Sequence, residues 1–289
     1  MNLLKLLKKY EEEGKALGHF NIANFDMLKA ISNVAERYEL PMVIGTSEGE
    51  WGYLGCDHVA DMIESYNNKY SKGGEHLFLN GDHTHTVDKL KELVKSGYDM
   101  VIFDAADSGF EENIKKTKKA VEVVKKINPE VLVEGELGYI GSSSKLLDEV
   151  PKDASINLED LPTAEEAEEF VKRTGVDLLA PAVGNIHGMM KNASNPSLNI
   201  ERIKEVSEAV NVPLVLHGGS GLSDDDFKEA IRAGISMIHV STEIRNAWRK
   251  SLEEALKEPD EIAPYKVVPP VISAIEEVIE KKCKLFYNF

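Results

Sequence analysis

The sequence predicts an α/β protein: one closed (β/α)8 barrel, the TIM-barrel architecture, in a single domain 1–289 with extra helices at its ends. Three observations predict it. Short apolar runs alternate with longer amphipathic segments in eight strand–helix units. The strand runs, such as MVIF and PLVLH, are almost continuously apolar, as in parallel strands covered on both faces. The length, 289 residues, suits a barrel of roughly 250 residues with insertions.

The elements follow in order. MNLLKLLKKYEEEGKA is short and amphipathic and predicts a surface helix; it lacks the long apolar run of a signal peptide. Strand 17–22 leads to helix 26–38, opened by Asp26, and strand 41–46 leads to helix 57–70. Strand 76–80 and helix 86–96 follow, and Lys95-Ser96-Gly97-Tyr98-Asp99 closes that helix and opens strand 100–103. Helix 111–127 and strand 131–134 come next. The segment 138–162, with Gly-Ser-Ser-Ser and two prolines, is the longest irregular stretch and reads as a mobile loop over a site. Thr163 with Glu166 forms a capping box for helix 163–173, and Gly175 ends it before strand 177–180. Helix 200–210 and strand 213–217 precede helix 223–232, which Ser223 and Asp226 open. Gly234 turns the chain into strand 236–240, followed by helix 241–257 and, after a proline-rich turn, a last helix 270–282. No composition break marks a second domain. A doubly wound open sheet is the runner-up, but Asn21-Ile22-Ala23-Asn24-Phe25 is not a glycine-rich dinucleotide loop.

The net charge of −16 argues against nonspecific nucleic-acid binding, which needs a basic footprint. Cys56 and Cys283 form neither a disulfide framework nor a CxxC metal site. No run reaches the roughly 18 apolar residues of a membrane span, so the cytoplasm is the expected compartment.

Barrel active sites form where strands end, at the C-terminal face. Of eight histidines, seven (His19, His76, His83, His85, His187, His217 and His239) lie in or near predicted strands. One such histidine is ordinarily just a hydrogen-bonded residue. The set His83, His187 and His217 carries more: each follows a strand closely, beside small residues, and three histidines with one open position is a catalytic zinc pattern. Spacing leaves His85 open as a replacement for one of them. Zinc in such a place acts as a Lewis acid on a carbonyl or enediolate oxygen. Asp82, directly before His83, can shuttle a proton or orient a histidine. Asp104, Glu134 and Glu136 are candidates for supporting the ligands or binding a second cation.

Directly after the seventh strand, His217-Gly218-Gly219-Ser220-Gly221 offers backbone N–H groups and a hydroxyl to a phosphate. After the eighth strand, Ser241 and Thr242 open a helix, a natural anion site. Lys191 can add a charge from the loop after the sixth strand. No predicted strand ends in lysine, which favours metal activation over Schiff-base chemistry.

Taken together, Gly81-Asp82-His83, Val133-Glu134-Gly135-Glu136-Leu137-Gly138, Gly184-Asn185-Ile186-His187-Gly188 and Leu216-His217-Gly218-Gly219-Ser220-Gly221 resemble the class II, zinc-dependent fructose-bisphosphate aldolases and their tagatose-bisphosphate relatives, over about residues 15–250. The resemblance implies zinc on His83, His187 and His217. It implies that Asp82 exchanges the proton of the aldehyde-derived hydroxyl, with Glu134 an acidic catalytic position near the metal. Gly188, Lys191, Gly218, Ser220, Ser241 and Thr242 match the family's phosphate and monovalent-cation region, where Na+ or K+ assists. Asn24 and Ser47 match positions near the substrate. A homodimer or homotetramer acting on a phosphorylated ketose and triose phosphates is implied, with no nucleic acid and no membrane. The chain departs from the pattern at His239, where the family usually has an asparagine on the dihydroxyacetone moiety, and at Glu243, usually aspartate. The loop 138–147 lacks the family's acidic residue, and Ala106-Asp107-Ser108 also differs.

Fructose 1,6-bisphosphate is the first expected substrate, and tagatose 1,6-bisphosphate or another phosphorylated ketose the near alternative. A metal-dependent sugar-phosphate isomerase or epimerase would share the metal and phosphate site. A noncatalytic barrel would leave every output unchanged on loss of Asp82.

Overall fold

The computed structural model describes residues 2–70, 76–141, 144–257 and 260–289. Among the described residues, ten strands and twelve α-helices run in the order α1 (Leu3–Glu12), β1 (Leu17–Asn21), α2 (Phe25–Tyr38), β2 (Met42–Ser47), α3 (Glu48–Leu54), α4 (Cys56–Tyr70), β3 (Leu77–Thr84), α5 (Val87–Lys95), β4 (Met100–Phe103), α6 (Phe110–Ile127), β5 (Leu132–Leu137), β6 (Leu146–Leu147), α7 (Ala164–Thr174), β7 (Leu178–Pro181), β8 (Met189–Met190), α8 (Ile200–Ala209), β9 (Leu214–Leu216), α9 (Asp224–Arg232), β10 (Ile235–Val240), α10 (Thr242–Ala255), α11 (Pro264–Val267) and α12 (Pro269–Phe286).

Eight strands close a parallel barrel in the order β1-β10-β9-β7-β5-β4-β3-β2. Both faces of each strand are covered, so Met100–Phe103 and Leu214–Leu216 are buried at every position. Where a large polar ring enters, a neighbour shrinks. His19 is fully buried, and a Cβ on Gly45 of the adjacent strand would lie 2.1 Å from its Cε1. The expected caps are present: Thr163 with Glu166 and Ser223 with Asp226 form capping boxes, and Gly175 takes the left-handed conformation at φ 73°.

Three features depart from the sequence reading. First, α1 is no mere surface helix: Leu3, Leu6, Leu7 and Tyr10 are buried, and Tyr10 meets Tyr287 edge-on at 5.7 Å. The chain's last helix runs on to Phe286, and the Tyr287 hydroxyl accepts from Gly18 N (3.1 Å) and donates to Pro41 O (2.6 Å). Second, α3 was not expected between β2 and α4. Third, the segment 138–162 is tied down: β6 pairs in parallel with β8, and His187 N donates to Ile140 O (2.8 Å). Ser142 and Ser143 of that segment lie outside the described residues.

Candidate metal centre and active site

The strand ends bring most of the predicted residues to one cleft. β3 is longer than expected, so Asp82 and His83 lie inside it. The pairing of β3 with β4 shifts register between Gly81 and Thr84, and His83 takes φ 49° there. A left-handed conformation is costly for a histidine, and a bulge of this kind re-aims a side chain beside a functional site. His217 directly follows β9. His187 sits in the loop after β7, which Asn185 braces: its Oδ1 accepts from Val183 N and its Nδ2 donates to His217 O, both at 2.8 Å.

Among the described residues, four trios place possible metal-ligand atoms within 4.8 Å of one another: His83/His187/His217, His19/Asp82/His239, Glu134/His217/His239 and His83/Asp104/Glu136. Ring geometry separates the first two. The His19 and His239 rings lie flat on one another, 3.5 Å apart and 3° from parallel, so their in-plane lone pairs run side by side. The rings of the first trio are steeply tilted about His83, at 83° to His187 and 81° to His217, with centroids 4.6 and 5.0 Å apart. Each ring of this trio also has one nitrogen held and the other left over. His83 Nδ1 lies 3.1 Å from Asp104 Oδ2 and 2.9 Å from Glu136 Oε1. His187 Nδ1 donates to Gly141 O (2.6 Å). His217 Nε2 faces Glu134 Oε1 at 2.6 Å, while its buried Nδ1 has no hydrogen-bond partner among the described residues. A metal-binding histidine is held in this way, its far nitrogen bonded to a carboxylate or carbonyl. The donor set therefore fits zinc: three imidazoles with an open fourth position.

In the metal-free site, burial and the surrounding carboxylates pull the histidines in opposite directions. Burial disfavours a charge on His83, but Glu136 and Asp82 outweigh it and hold the ring well above its ordinary pKa. His217 is raised in the same way, against burial, by Glu136 and Glu134. Burial, reinforced by His83 and His217, pushes His187 down to about 3. Burial works against ionised Asp82, yet His83 and then His239 hold its carboxyl well below the usual range. Asp104, against its own burial, is lowered to about 2 by His83. Burial raises Glu134, with His217 opposing.

Asp82 is aimed. Its Oδ2 accepts from Asn21 Nδ2 at 2.8 Å, and the same amide group donates to Glu50 Oε2 at 3.0 Å. Buried Oδ1 has no hydrogen-bond partner among the described residues; it lies 3.7 Å from His83 Nε2 and 3.6 Å from His239 Nδ1. A carboxylate oxygen so placed is free for a substrate hydroxyl. Glu50 and Arg245 were missed as site residues in the sequence. Arg245 holds Glu50 Oε1 at 2.5 Å and reaches Ser144 O at 3.0 Å. Glu50 carried a signal, since it stands three residues after Ser47 and completes a capping box there. His19, under His239, carried none beyond its place in a strand.

Two adjoining hollows share Asn21, Asp82, His83, Ser144 and His187. The inner one, about 300 Å³, is lined further by Gly188, Gly218, Ser220, His239, Ser241 and Thr242. The outer one, about 820 Å³, adds Ser47, His85, Asp104 and Arg245. At the inner end Gly218 has φ 64°, and a Cβ there would meet Ile186 O at 2.2 Å, so only glycine fits. Not every backbone amide of this loop is available to an anion. Gly219 N donates to His239 O (3.0 Å) and Gly221 N to Glu243 Oε1 (2.8 Å). Ser220 Oγ accepts from Glu243 N (3.2 Å), which leaves its own proton to give. Ser241 Oγ is buried at the N-terminus of α10 without a hydrogen-bond partner among the described residues, as an anion site requires.

Two expected ligands are engaged elsewhere. Asn24 accepts from Met27 N (3.0 Å) and caps α2. Lys191 is held by both oxygens of Asp148, at 2.9 and 2.8 Å. Neither lines the two hollows. His85 lines the outer hollow, with its ring directed at Asp104 O (3.3 Å), and is not part of the histidine trio.

Comparison with known proteins gives the family. The family model described as fructose-bisphosphate aldolase class-II matches residues 1–288. A probable fructose-bisphosphate aldolase of Bacillus subtilis (strain 168) is 33% identical over 288 residues, 99% of this chain and 97% of that protein. The crystal structure of the YdjI aldolase from Escherichia coli K12 superposes with a TM-score of 0.82 at 31% identity, covering 99% of this chain and 96% of that one. A putative fructose-1,6-biphosphate aldolase from Coccidioides immitis gives a TM-score of 0.83 at 25% identity, covering 99% and 96%. The chain belongs to the class II fructose-bisphosphate aldolase family.

Proposed function

We propose that the protein is a zinc-dependent aldolase that reversibly cleaves fructose 1,6-bisphosphate to dihydroxyacetone phosphate and glyceraldehyde 3-phosphate. One observation carries the reading. Three histidines, each with its far nitrogen held by a carboxylate or a carbonyl, face an aimed and ionised Asp82, with an anion-ready loop and helix end beside them.

His83, His187 and His217 would hold the zinc. Zinc supplies a Lewis acid that draws negative charge onto the oxygens of the dihydroxyacetone half. The chain does the rest. Gly188, Gly218, Ser220, Ser241 and Thr242 line the inner hollow and fix the phosphate of that half. A monovalent cation, Na+ or K+, would assist there. Asp82, held by Asn21, takes the proton from the hydroxyl next to the breaking carbon–carbon bond and returns it in the reverse direction. Glu134 and Glu136 hold His217 and His83, and Asp104 holds His83. Ser47, in the wall of the outer hollow, adjoins the aldehyde half.

Separating the products of fructose 1,6-bisphosphate tests the reaction type. Two triose phosphates are expected; an isomerised hexose alone would favour the isomerase. A second reading, tagatose 1,6-bisphosphate or another phosphorylated ketose, is favoured by His239, which stands beside Asp82 where the family usually has asparagine. The catalytic unit is the single barrel domain 1–289. Among the described residues no helix is long and apolar enough to cross a membrane. A cytoplasmic homodimer or homotetramer is the expected form, checked by light scattering.

A further inference from the structure

The C-terminal helix α12 sends a buried cation toward the phosphate end of the site. Lys282 is only 3% exposed. Its ammonium lies 2.8 Å from Glu243 Oε1 and 4.5 Å from the centre of the Phe227 ring. A buried ammonium is costly unless it is paired, so this contact demands a reason. Glu243 supplies one. The same Oε1 accepts from Gly221 N at 2.8 Å, and Glu243 N donates to Ser220 Oγ at 3.2 Å. Glu243 thus grips two consecutive residues of the glycine loop while it sits in the first turn of α10, the turn that presents Ser241 and Thr242 to the inner hollow.

That position is awkward for a carboxylate. A helix N-terminus favours an anion, and a bare Glu243 would compete with and repel the phosphate expected beside it. We propose that Lys282 is a positioning residue for phosphate: it cancels the charge of Glu243 and fixes it on Gly221, so that the loop 218–221 stays in place and the α10 N-terminus stays open to a phosphate monoester. Lys282 lines neither hollow, so it acts through Glu243 and not by touching substrate. This rests on the aldolase reading for the substrate, though only on a phosphate for the ligand.

The test compares zinc-loaded wild type with Lys282→Met, Lys282→Arg and the double variant Lys282→Met/Glu243→Gln. Methionine keeps an unbranched stem over Phe227 and removes the charge. Calorimetric titration with inorganic phosphate at low ionic strength is the primary readout. KM and kcat for fructose 1,6-bisphosphate, bound zinc and Tm are the others. Lys282→Met should weaken phosphate roughly tenfold and raise KM by a similar factor, with zinc content unchanged and kcat within about twofold. The double variant, with neither charge, should recover most of the phosphate affinity, and Lys282→Arg should keep it. A role in packing alone would lower Tm in both methionine variants and give no recovery in the double one. Unchanged phosphate affinity in Lys282→Met, no recovery in the double variant, or no phosphate binding by wild type would each overturn the inference. If Lys282→Met fails to fold, the double variant decides alone, since its affinity should stay near that of wild type. A wild type that binds phosphate without cleaving fructose 1,6-bisphosphate would refute the substrate reading and leave this test intact.

Discussion

Asp82 and His239 are the residues whose chemistry most defines this site. Asp82 is ionised and anchored through one oxygen, with the other free of hydrogen bonds, as a proton carrier must be. Replacing it by alanine should leave zinc bound and lower carbon–carbon cleavage by about 10²–10⁴-fold, the usual worth of a general acid–base. Zinc analysis beside a triose phosphate assay checks this, and unchanged turnover would remove Asp82 from the mechanism. His239→Asn restores the amide common in the family. If His239 adapts the pocket to an unusual ketose, the ratio of kcat/KM for fructose to tagatose bisphosphate should rise; an unmoved ratio would count against that role. At this scale the sequence was informative wherever a residue type is rare and chemically committed. Histidines at strand ends and an aspartate beside one of them stood out. Glu50 and Arg245 did not, because their roles depend on Asn21 Nδ2 reaching one carboxylate on β3 and another on α3, and on an ion pair between residues 195 positions apart. Lys191 is the converse case, since Asp148 pairs with it across 43 positions.

The barrel strands were legible as elements because strands covered on both faces leave continuous apolar runs, and their glycine-marked turns repeat. The pair β6 and β8 was not: two residues of strand carry no periodicity, and only their parallel pairing reveals that the loop after β5 is fastened to the loop carrying His187. Nor does any pattern announce the register shift in β3 that turns His83 toward the cleft. Packing between elements gives a sharp expectation. A Cβ on Gly45 of β2 would collide with the fully buried ring of His19 on β1. Gly45→Ala should therefore destabilise the protein by about 1–3 kcal/mol, and Gly45→Ala/His19→Ala should regain part of that loss. Denaturant unfolding measures both. A Gly45→Ala variant as stable as the wild type would mean that the ring can move aside.

Over the whole molecule, the two ends of the chain meet at the N-terminal end of the barrel, away from the chemistry. Tyr287, third from the end, bonds to the start of β1 and to the residue before β2, and α1 packs against it. An N-terminal amphipathic pattern shows that a helix forms, not that its apolar face closes a barrel floor; that required the floor. Stability of the metal-free barrel should also depend on acid. His187 is held at about 3 in the folded protein, against an ordinary value near 6.5. Between those values the unfolded chain binds the extra proton, so this group makes the protein less stable as pH falls from about 6.5 toward 3. Tm of chelator-treated wild type should drop more steeply between pH 7 and pH 4 than that of His187→Gln; equal slopes would mean that His187 titrates normally. The most direct test of the central claim is triose phosphate release from fructose 1,6-bisphosphate by protein as purified, after chelator treatment, and after zinc is added back. The histidine trio predicts release that the chelator abolishes and zinc restores. Release that persists undiminished after complete removal of metal would contradict a metal-dependent aldolase.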